Sequence, residues 1–376
     1  MEYFSHQSLS EKLLGKNGNF RLFTTKAKTL SIYTRQSYID SKQKLKVSLP
    51  QTYRTLYRAN VPGEKPKFAD VPFPTPGDNQ VVVKIEYAPL NPSDILVMHG
   101  YSKYQDRDPY PCGQEGSGTV VAAGTNLKVP HKIGDRVHVA DCGTYGQYIL
   151  TDSDNISPIL GDLSFEEAAS HYINPVTVYM MGEKAEESGH KAAIHTAGSS
   201  ALGRMLIRYF KHKGIKLINI VRKEEYIEEL KKEGADYVLN SQGPDFEAKL
   251  KELAEKEKAT IAFDAISGSF TAKVVAAQPR DSICYVYGCL EGVEMSGITF
   301  LEIIKDKAIK GLYIFSYIEA LREKGVLAKF FDDVHALLPT ILSSKIQKIY
   351  KMEDLEEALA FYEKNISKGK ILFKPN

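Results

Sequence analysis

Between residues 191 and 287, short β-type runs alternate with amphipathic helical stretches, and this alternation limits the fold class more than any other feature. KAAIHT, KLINIV, DYVLN, ATIAFDA and SICYVYG read as strands, while ALGRMLIRYFKHKG and KEEYIEELKKEG repeat apolar residues at helical spacing. In the first of these helices Leu202, Met205, Leu206, Tyr209 and Phe210 fall on one face, and Gly214 follows as a stop. Strands that alternate with helices in this way build βαβ units and a parallel, doubly wound sheet. The expected class is α/β.

The chain before this region has another texture. VVVKIEYAPLNPSD, EGSGTVVAAGTN and KIGDRVHVADCGTYGQYIL are short β runs separated by glycine turns, which predicts a compact β-rich domain. LSFEEAASHYINPVTVYMMGEKAE then begins a helical region, with Ser164 as N-cap and Glu167 at the capping-box spacing. MEDLEEALAFYEKNISKGKILFKPN closes the chain as a charged amphipathic helix and a last β run. No internal repeat interrupts this order.

Composition narrows the function classes. At 376 residues and 43% hydrophobic, the chain can bury the cores of about two domains. No run approaches the roughly 18 consecutive apolar residues of a membrane span, so no transmembrane segment is expected. The 49 basic residues nearly balance the 47 acidic ones, and without a basic stripe nucleic acid is not an expected partner. Cys112, Cys142, Cys284 and Cys289 form no CxxC pair and read as reduced, mostly buried thiols of a reducing compartment. Residues 1–50 carry nine Lys and Arg against three acids, Glu2, Glu11 and Asp40. That extension reads either as a mitochondrial targeting segment or as a basic tail that binds a partner. A mitochondrial location is expected from it, with the cytoplasm as the alternative.

The stretch HTAGSSALGRM, between a strand and a helix, is the candidate binding turn. Gly198, Ser200 and Gly203 occupy the positions of a G-x-G-x-x-G motif whose central glycine has become serine. A helix N-terminus offers free N–H groups and a positive dipole end to a pyrophosphate, and glycines let the backbone come close. Gly198, Ser199, Ser200, Ala201, Leu202 and Gly203 are therefore the candidate cofactor turn. The Ser200 hydroxyl either caps the helix or donates to a phosphate oxygen. A tight turn that binds nothing is the other reading. NAD sites usually place an acid after the second strand, where it holds the ribose 2′-hydroxyl. Here Arg222 and Lys223 follow Val221, and a guanidinium there suits a 2′-phosphate. NADPH is the expected cofactor.

NPSD (91–94), GQEGSGTVVAAG (113–124), IGDRV (133–137), NPVT (174–177), HTAGSSALG (195–203), GADYVLNS (234–241) and GKILFKP (369–375) occur in one order. Together they resemble the medium-chain dehydrogenase/reductase superfamily, in its zinc-free, quinone-oxidoreductase-like branch. The resemblance covers about residues 55–376. It implies a GroES-like β-rich domain over 51–173, a Rossmann domain over 174–326, and a return to the first domain over 327–376. Zinc-dependent members place Cys and His where this chain has Asn91 and Gln114, which are poor zinc ligands, so no metal is expected.

The resemblance also implies roles for residues. A tyrosine just after the NPSD helix polarises the substrate carbonyl in zinc-free relatives, and Tyr101 lies nearest that position, with Tyr104 beyond it. A phenol there would hydrogen-bond the oxygen as charge moves onto it. Asn91 would hold substrate or the nicotinamide ribose. Asn174, Thr177, Gly288 and Lys370 would lie near the cofactor. Ser200, and Tyr226 in place of the family's usual lysine, depart from the pattern. The absence of tryptophan weakens an enoyl-thioester reading.

The expected function is an NADPH-dependent, zinc-independent oxidoreductase that transfers hydride to a quinone, enone or related conjugated carbonyl. The rival reading is a catalytically reduced member that serves as an accessory subunit of a larger, respiratory-type mitochondrial assembly. A homodimer or a subunit of a larger complex is expected.

Overall fold

A computed structural model describes residues 49–58, 65–100 and 109–376. Residues 1–48, Tyr101 and Tyr104 lie outside the described residues, so the expectations placed on them stand outside the fold given below.

Residues 50–376 make one unit of two lobes. The first lobe is β-rich. The strands Ile346–Lys351, Lys370–Lys374, Gln80–Pro89, Gly116–Ala123, Arg136–Val139 and Ile156–Pro158 lie side by side in that order, and Tyr148–Asp152 also pairs with Gln80–Pro89. Val81, Val83, Ile85, Val120, Val137, Val139 and Ile149 bury one core beneath them. The chain's last strand joins this sheet, with Leu372 opposite Pro89 and Phe373 opposite Ala88.

The second lobe is a parallel six-stranded sheet. Its order is Tyr237–Asn240, Lys216–Val221, Ala192–His195, Ile261–Asp264, Ile283–Val286, Ala308–Gly311. Numbered along the chain this is 3-2-1-4-5-6, the doubly wound order in which ligands bind beyond the carboxyl ends of the strands where the order reverses. Both faces are covered, as a parallel sheet requires. Met205, Leu206, Tyr209 and Phe210 fill one face with Val176, Met180 and Met181. Ile194, Ile218, Leu250, Val274 and Val275 fill the other. The helix Ala201–Lys213 buries the face read from its sequence, and Gly214 ends it at φ 68°.

Two boundaries differ from expectation. The helical region after Ser164 is two helices, Phe165–Ala168 and Ile173–Glu187. Pro175 explains the break, because its ring would collide with the carbonyl four residues earlier if the helix ran through His171. The return to the first lobe comes later than residue 327. The helix Leu327–Leu337 belongs to the second lobe, where Phe330, Val334 and Leu338 pack into its core. The first lobe resumes at the strand Ile346–Lys351.

Candidate functional site

The turn between the strand Ala192–His195 and the helix Ala201–Lys213 sits at the point where strand order reverses. Ser200 is the N-cap, and its Oγ accepts the Gly203 N–H at 3.0 Å. Of the two uses open to this hydroxyl, helix capping is the one seen. The first amides of any helix lack partners within it. Here Ala201 and Leu202 carry two of them at the wall of a cavity.

The glycines of the turn have steric reasons. A Cβ on Gly203 would lie 2.4 Å from the Gly198 carbonyl oxygen, and one on Gly198 would lie 2.9 Å from Asn219 Cβ. Both keep the turn pressed against its helix and the next strand. Ala197 adopts φ 57°, an uncommon conformation for a residue with a side chain, and it lines the cavity. Ser199 is buried, and its hydroxyl bonds Ser367 Oγ at 3.0 Å, tying the turn to the chain's C-terminal segment.

The cavity holds about 510 Å³ between the two lobes, enough for a small ligand and the nicotinamide half of a dinucleotide. The second lobe brings Asn174, Thr177, Ala197, Ser200, Ala201, Leu202, Tyr287 and Gly288 to it. The first lobe brings Ser93, Tyr110, Gln114, Cys142, Tyr362 and Lys370. Asn174, Thr177, Ser200, Ala201, Leu202, Gly288 and Lys370 thus meet at one place. Gly198, Ser199 and Gly203 build the turn from behind. Arg222 and Lys223 stand exposed just past the end of the neighbouring strand Lys216–Val221, outside the cavity lining. Lys223 pairs with Glu225 at 3.6 Å.

Asn91 lies elsewhere than expected. It is fully buried and does not line the cavity. Its Nδ2 donates to Glu115 Oε1 at 2.8 Å, and its Oδ1 accepts from the Lys370 ammonium. Its backbone N–H donates to Asp94 Oδ2 at 2.9 Å at the start of the helix Pro92–Met98. With both amide atoms engaged, Asn91 positions its neighbours; it has no free group to offer a substrate.

Glu115 is the centre of this buried network. Besides Asn91, it accepts the backbone N–H groups of Tyr172 at 2.8 Å and Ile173 at 3.1 Å. A carboxylate of the first lobe therefore caps the helix Ile173–Glu187, whose first turns carry Asn174 and Thr177. Burial raises the Glu115 carboxyl above the usual range and lowers the Lys370 ammonium below its own, while each one's charge favours the ionised form of the other. Burial also pushes Asp94 up to about 6, and Gln114 Nε2 donates to its Oδ1 at 3.2 Å and to Ser93 Oγ at 2.9 Å.

Sequence reasoning missed three contributors. Tyr287, next to Gly288, lines the cavity and bonds His195 Nε2 at 2.8 Å. Tyr110 lies in the wall with its hydroxyl 2.8 Å from Cys142 Sγ. Ser367 anchors the binding turn. Only Tyr287 carried a local signal, by adjoining a glycine at a strand end. Among the described residues no group of three His, Cys, Asp or Glu is arranged to hold a metal ion. The side chains of Asn91 and Gln114 are bonded to protein groups.

Two family profiles match: the alcohol dehydrogenase GroES-like domain over residues 77–169 and the zinc-binding dehydrogenase domain over 201–328, together more than half of the chain. The mitochondrial enoyl-[acyl-carrier-protein] reductase of Caenorhabditis elegans is 27% identical over 250 residues, 64% of this chain and 70% of that protein. The human protein of the same name is 26% identical over 246 residues, 63% of this chain and 65% of its own length. The crystal structure of a putative NADPH:quinone reductase from Mesorhizobium loti is similar at a TM-score of 0.76, with 26% identity, covering 88% of this chain and all of that one. With the two-lobed architecture and the ordered motifs, these matches establish that the chain is an oxidoreductase-type member of the medium-chain dehydrogenase/reductase superfamily, in its quinone-oxidoreductase-like branch.

Proposed function

We propose that this protein is an NADPH-dependent reductase of conjugated carbonyls, with quinones and enones as the acceptor class. The observation that carries the reading is the cavity itself. One wall is a helix N-terminus with free amides at the reversal point of a doubly wound sheet, and the opposite wall belongs to the other lobe. Bound there, a reduced nicotinamide supplies a hydride. The acceptor takes it at the carbon β to its carbonyl and takes a proton from protein or water.

The chain's own residues divide the remaining work. The Ala197–Gly203 turn receives the pyrophosphate. Asn174, Thr177 and Gly288 line the nicotinamide end. Arg222, which makes no ion pair among the described residues, offers its guanidinium to a ribose 2′-phosphate, with Lys223 beside it. Ile95, Leu96, Val97 and Phe315 exclude water from the acceptor end. Tyr101 is the proposed donor to the carbonyl oxygen, since it follows directly on the cavity-lining helix Pro92–Met98 and Gly100. Lys370 and Glu115 set the field beneath.

The enoyl-thioester reductases among the relatives make a thioester a second acceptor to try, although this chain has no tryptophan. Self-association has support in the edge strand Ala308–Gly311, preceded by the exposed Phe300, Leu301, Ile303 and Ile304. The basic residues of 1–50 and the mitochondrial relatives favour a mitochondrial address over a cytoplasmic one.

The test is a fluorescence titration of the purified full-length protein with NADPH and, separately, NADH, followed by an acceptor screen. Micromolar, NADPH-selective binding with turnover of a quinone or enone supports the reading. Binding of neither nucleotide would sink it and favour the accessory-subunit role, to be sought by isolating the complex that residues 1–50 join.

A further inference from the structure

Three histidines from three segments meet at the seam between the lobes. His138 comes from the first-lobe strand Arg136–Val139. His171 lies in the two-residue bend that precedes the helix Ile173–Glu187. His335 comes from the second-lobe helix Leu327–Leu337. The His138 ring stacks on His171 at 4.2 Å and on His335 at 4.8 Å, and His171 lies 5.9 Å from His335. All three are buried, with 1%, 2% and 5% of their surface exposed.

Each ring has one satisfied side at most. His138 Nδ1 faces the Ala168 carbonyl at 2.9 Å; a carbonyl only accepts, so Nδ1 carries the proton and Nε2 a lone pair. That Nε2, His171 Nδ1 and His335 Nε2 have no hydrogen-bond partner. A buried unpartnered nitrogen is costly and calls for an explanation. A shared metal ion is not one, for the rings stack face to face and are not arranged as a metal-holding group.

We propose that this trio is a proton-operated latch, closed when the three imidazoles are neutral and released when acidification charges them. Two neutral rings stack without penalty. A cation placed between two others, away from water, does not. The charged groups that act on the trio are few: Arg136, on the strand of His138, opposes protonation, and Asp332, one turn before His335 on its helix, favours it. The rings of Tyr172 and Phe331 and the carbonyls of Ala168 and Ala169, all uncharged, also adjoin the trio. Burial holds His138 down to about 3 and His335 down to about 4, and drives His171 well below its ordinary range.

The latch is connected to the site. His171 precedes Tyr172, whose N–H is capped by Glu115, and Ile173 and Asn174 follow. Release of the seam thus loosens the helix start that carries Asn174 and Thr177. The device acts whatever the substrate, so it stands independently of the proposed function.

The linkage has a definite sign. The closed form excludes protons that the open form takes up at the ordinary histidine value near 6.5. Closure is therefore fully favoured above about pH 6.5 and weakens as pH falls toward 4. At pH 5.5, each imidazole that becomes solvated raises the opening constant about tenfold.

Hydrogen exchange followed by mass spectrometry on the full-length protein, at pH 7.5 and 5.5 and corrected for intrinsic rates, reads this directly over residues 165–180. The expected result is faster opening at pH 5.5 by tenfold or more, cut about tenfold in His335→Phe, which keeps an aromatic ring but takes no proton. His138→Gln serves as the second variant should the first fold poorly. Equal opening at the two pH values in the unaltered protein, or an acid response unchanged in a folded variant, overturns the proposal.

Discussion

The carboxylate of Glu115 accepts the backbone N–H of Tyr172 at 2.8 Å, so a side chain of one lobe caps the helix that begins the other. The same carboxylate holds Asn91, and Asn91 holds Lys370. Replacing Glu115 with Ala leaves two helix amides and the Asn91 side-chain N–H without their acceptor, and the buried Lys370 ammonium without a counter-charge. Loss of one partner of a buried charged pair costs about 3–5 kcal/mol, and chemical denaturation should show a loss of that order. Glu115→Gln, which retains one acceptor oxygen, should lose clearly less. Equal losses would mean that the charge, which Gln also lacks, carries the contribution rather than the acceptor oxygen.

Ser200 stands where a glycine would complete the motif, and its hydroxyl is used as a cap. Ser200→Ala should cost about 1 kcal/mol of stability, Ser200→Gly only a few tenths. If capping is the whole role, both variants keep the dinucleotide affinity of the unaltered protein. A tenfold weaker affinity in Ser200→Gly, with stability unchanged, would show that the hydroxyl also reaches the ligand.

Gly203 allows no such latitude. An added methyl would meet the Gly198 carbonyl at 2.4 Å, against backbone that cannot turn aside like a side chain. Gly203→Ala should separate helix from turn, cost roughly 1–3 kcal/mol, and weaken dinucleotide binding at least tenfold. Titration and melting of one preparation measure both; unaltered values in each would mean that the turn relaxes without penalty.

The parts of this molecule readable from sequence are those set by local periodicity. The helix face Leu202–Phe210, its stop at Gly214 and the box between Ser164 and Glu167 depend on residues within a few turns of one another. The break at 169–172 was also within reach, through Pro175. Long-range partnerships were not. An amphipathic helix reads alike whichever core receives it, so Leu327–Leu337 gave no sign of belonging to the second lobe. Asn91 looked like a ligand group because nothing in NPSD tells that Glu115 and Lys370, 24 and 279 residues away, will occupy its amide. Nor could spacing show that His138, His171 and His335 stack.

Tyr101 follows the helix Pro92–Met98, whose Ser93, Ile95 and Val97 line the cavity. A phenol acting on the carbonyl oxygen stabilises charge only as hydride arrives. Tyr101→Phe should therefore lower kcat about a hundredfold or more and leave NADPH affinity within twofold. A fully active variant would remove Tyr101 from the reaction, and Tyr110, in the wall with its hydroxyl on Cys142, would be the next phenol to replace.

The proposed preference for NADPH over NADH is tested at Arg222. That residue stands exposed at the end of the second strand of the sheet, where an acid would hold a ribose hydroxyl, and Glu224 and Glu225 follow it. Glu224 already accepts from Asn240 Nδ2 at 3.1 Å and Glu225 pairs with Lys223, so neither opposes the guanidinium alone. A bidentate guanidinium–phosphate contact is worth more than a neutral hydrogen bond and exists only with the 2′-phosphate. Arg222→Ala should weaken NADPH roughly tenfold or more, about 1.4 kcal/mol, and leave NADH nearly unchanged. Lys223→Ala should do less, since its ammonium is shared with Glu225. Raising salt should weaken NADPH more than NADH in the unaltered protein, because the added contact is between exposed charges, and that difference should vanish in Arg222→Ala. Parallel loss of both dinucleotides would instead place Arg222 in the structure of the strand end and leave the 2′-phosphate to another group.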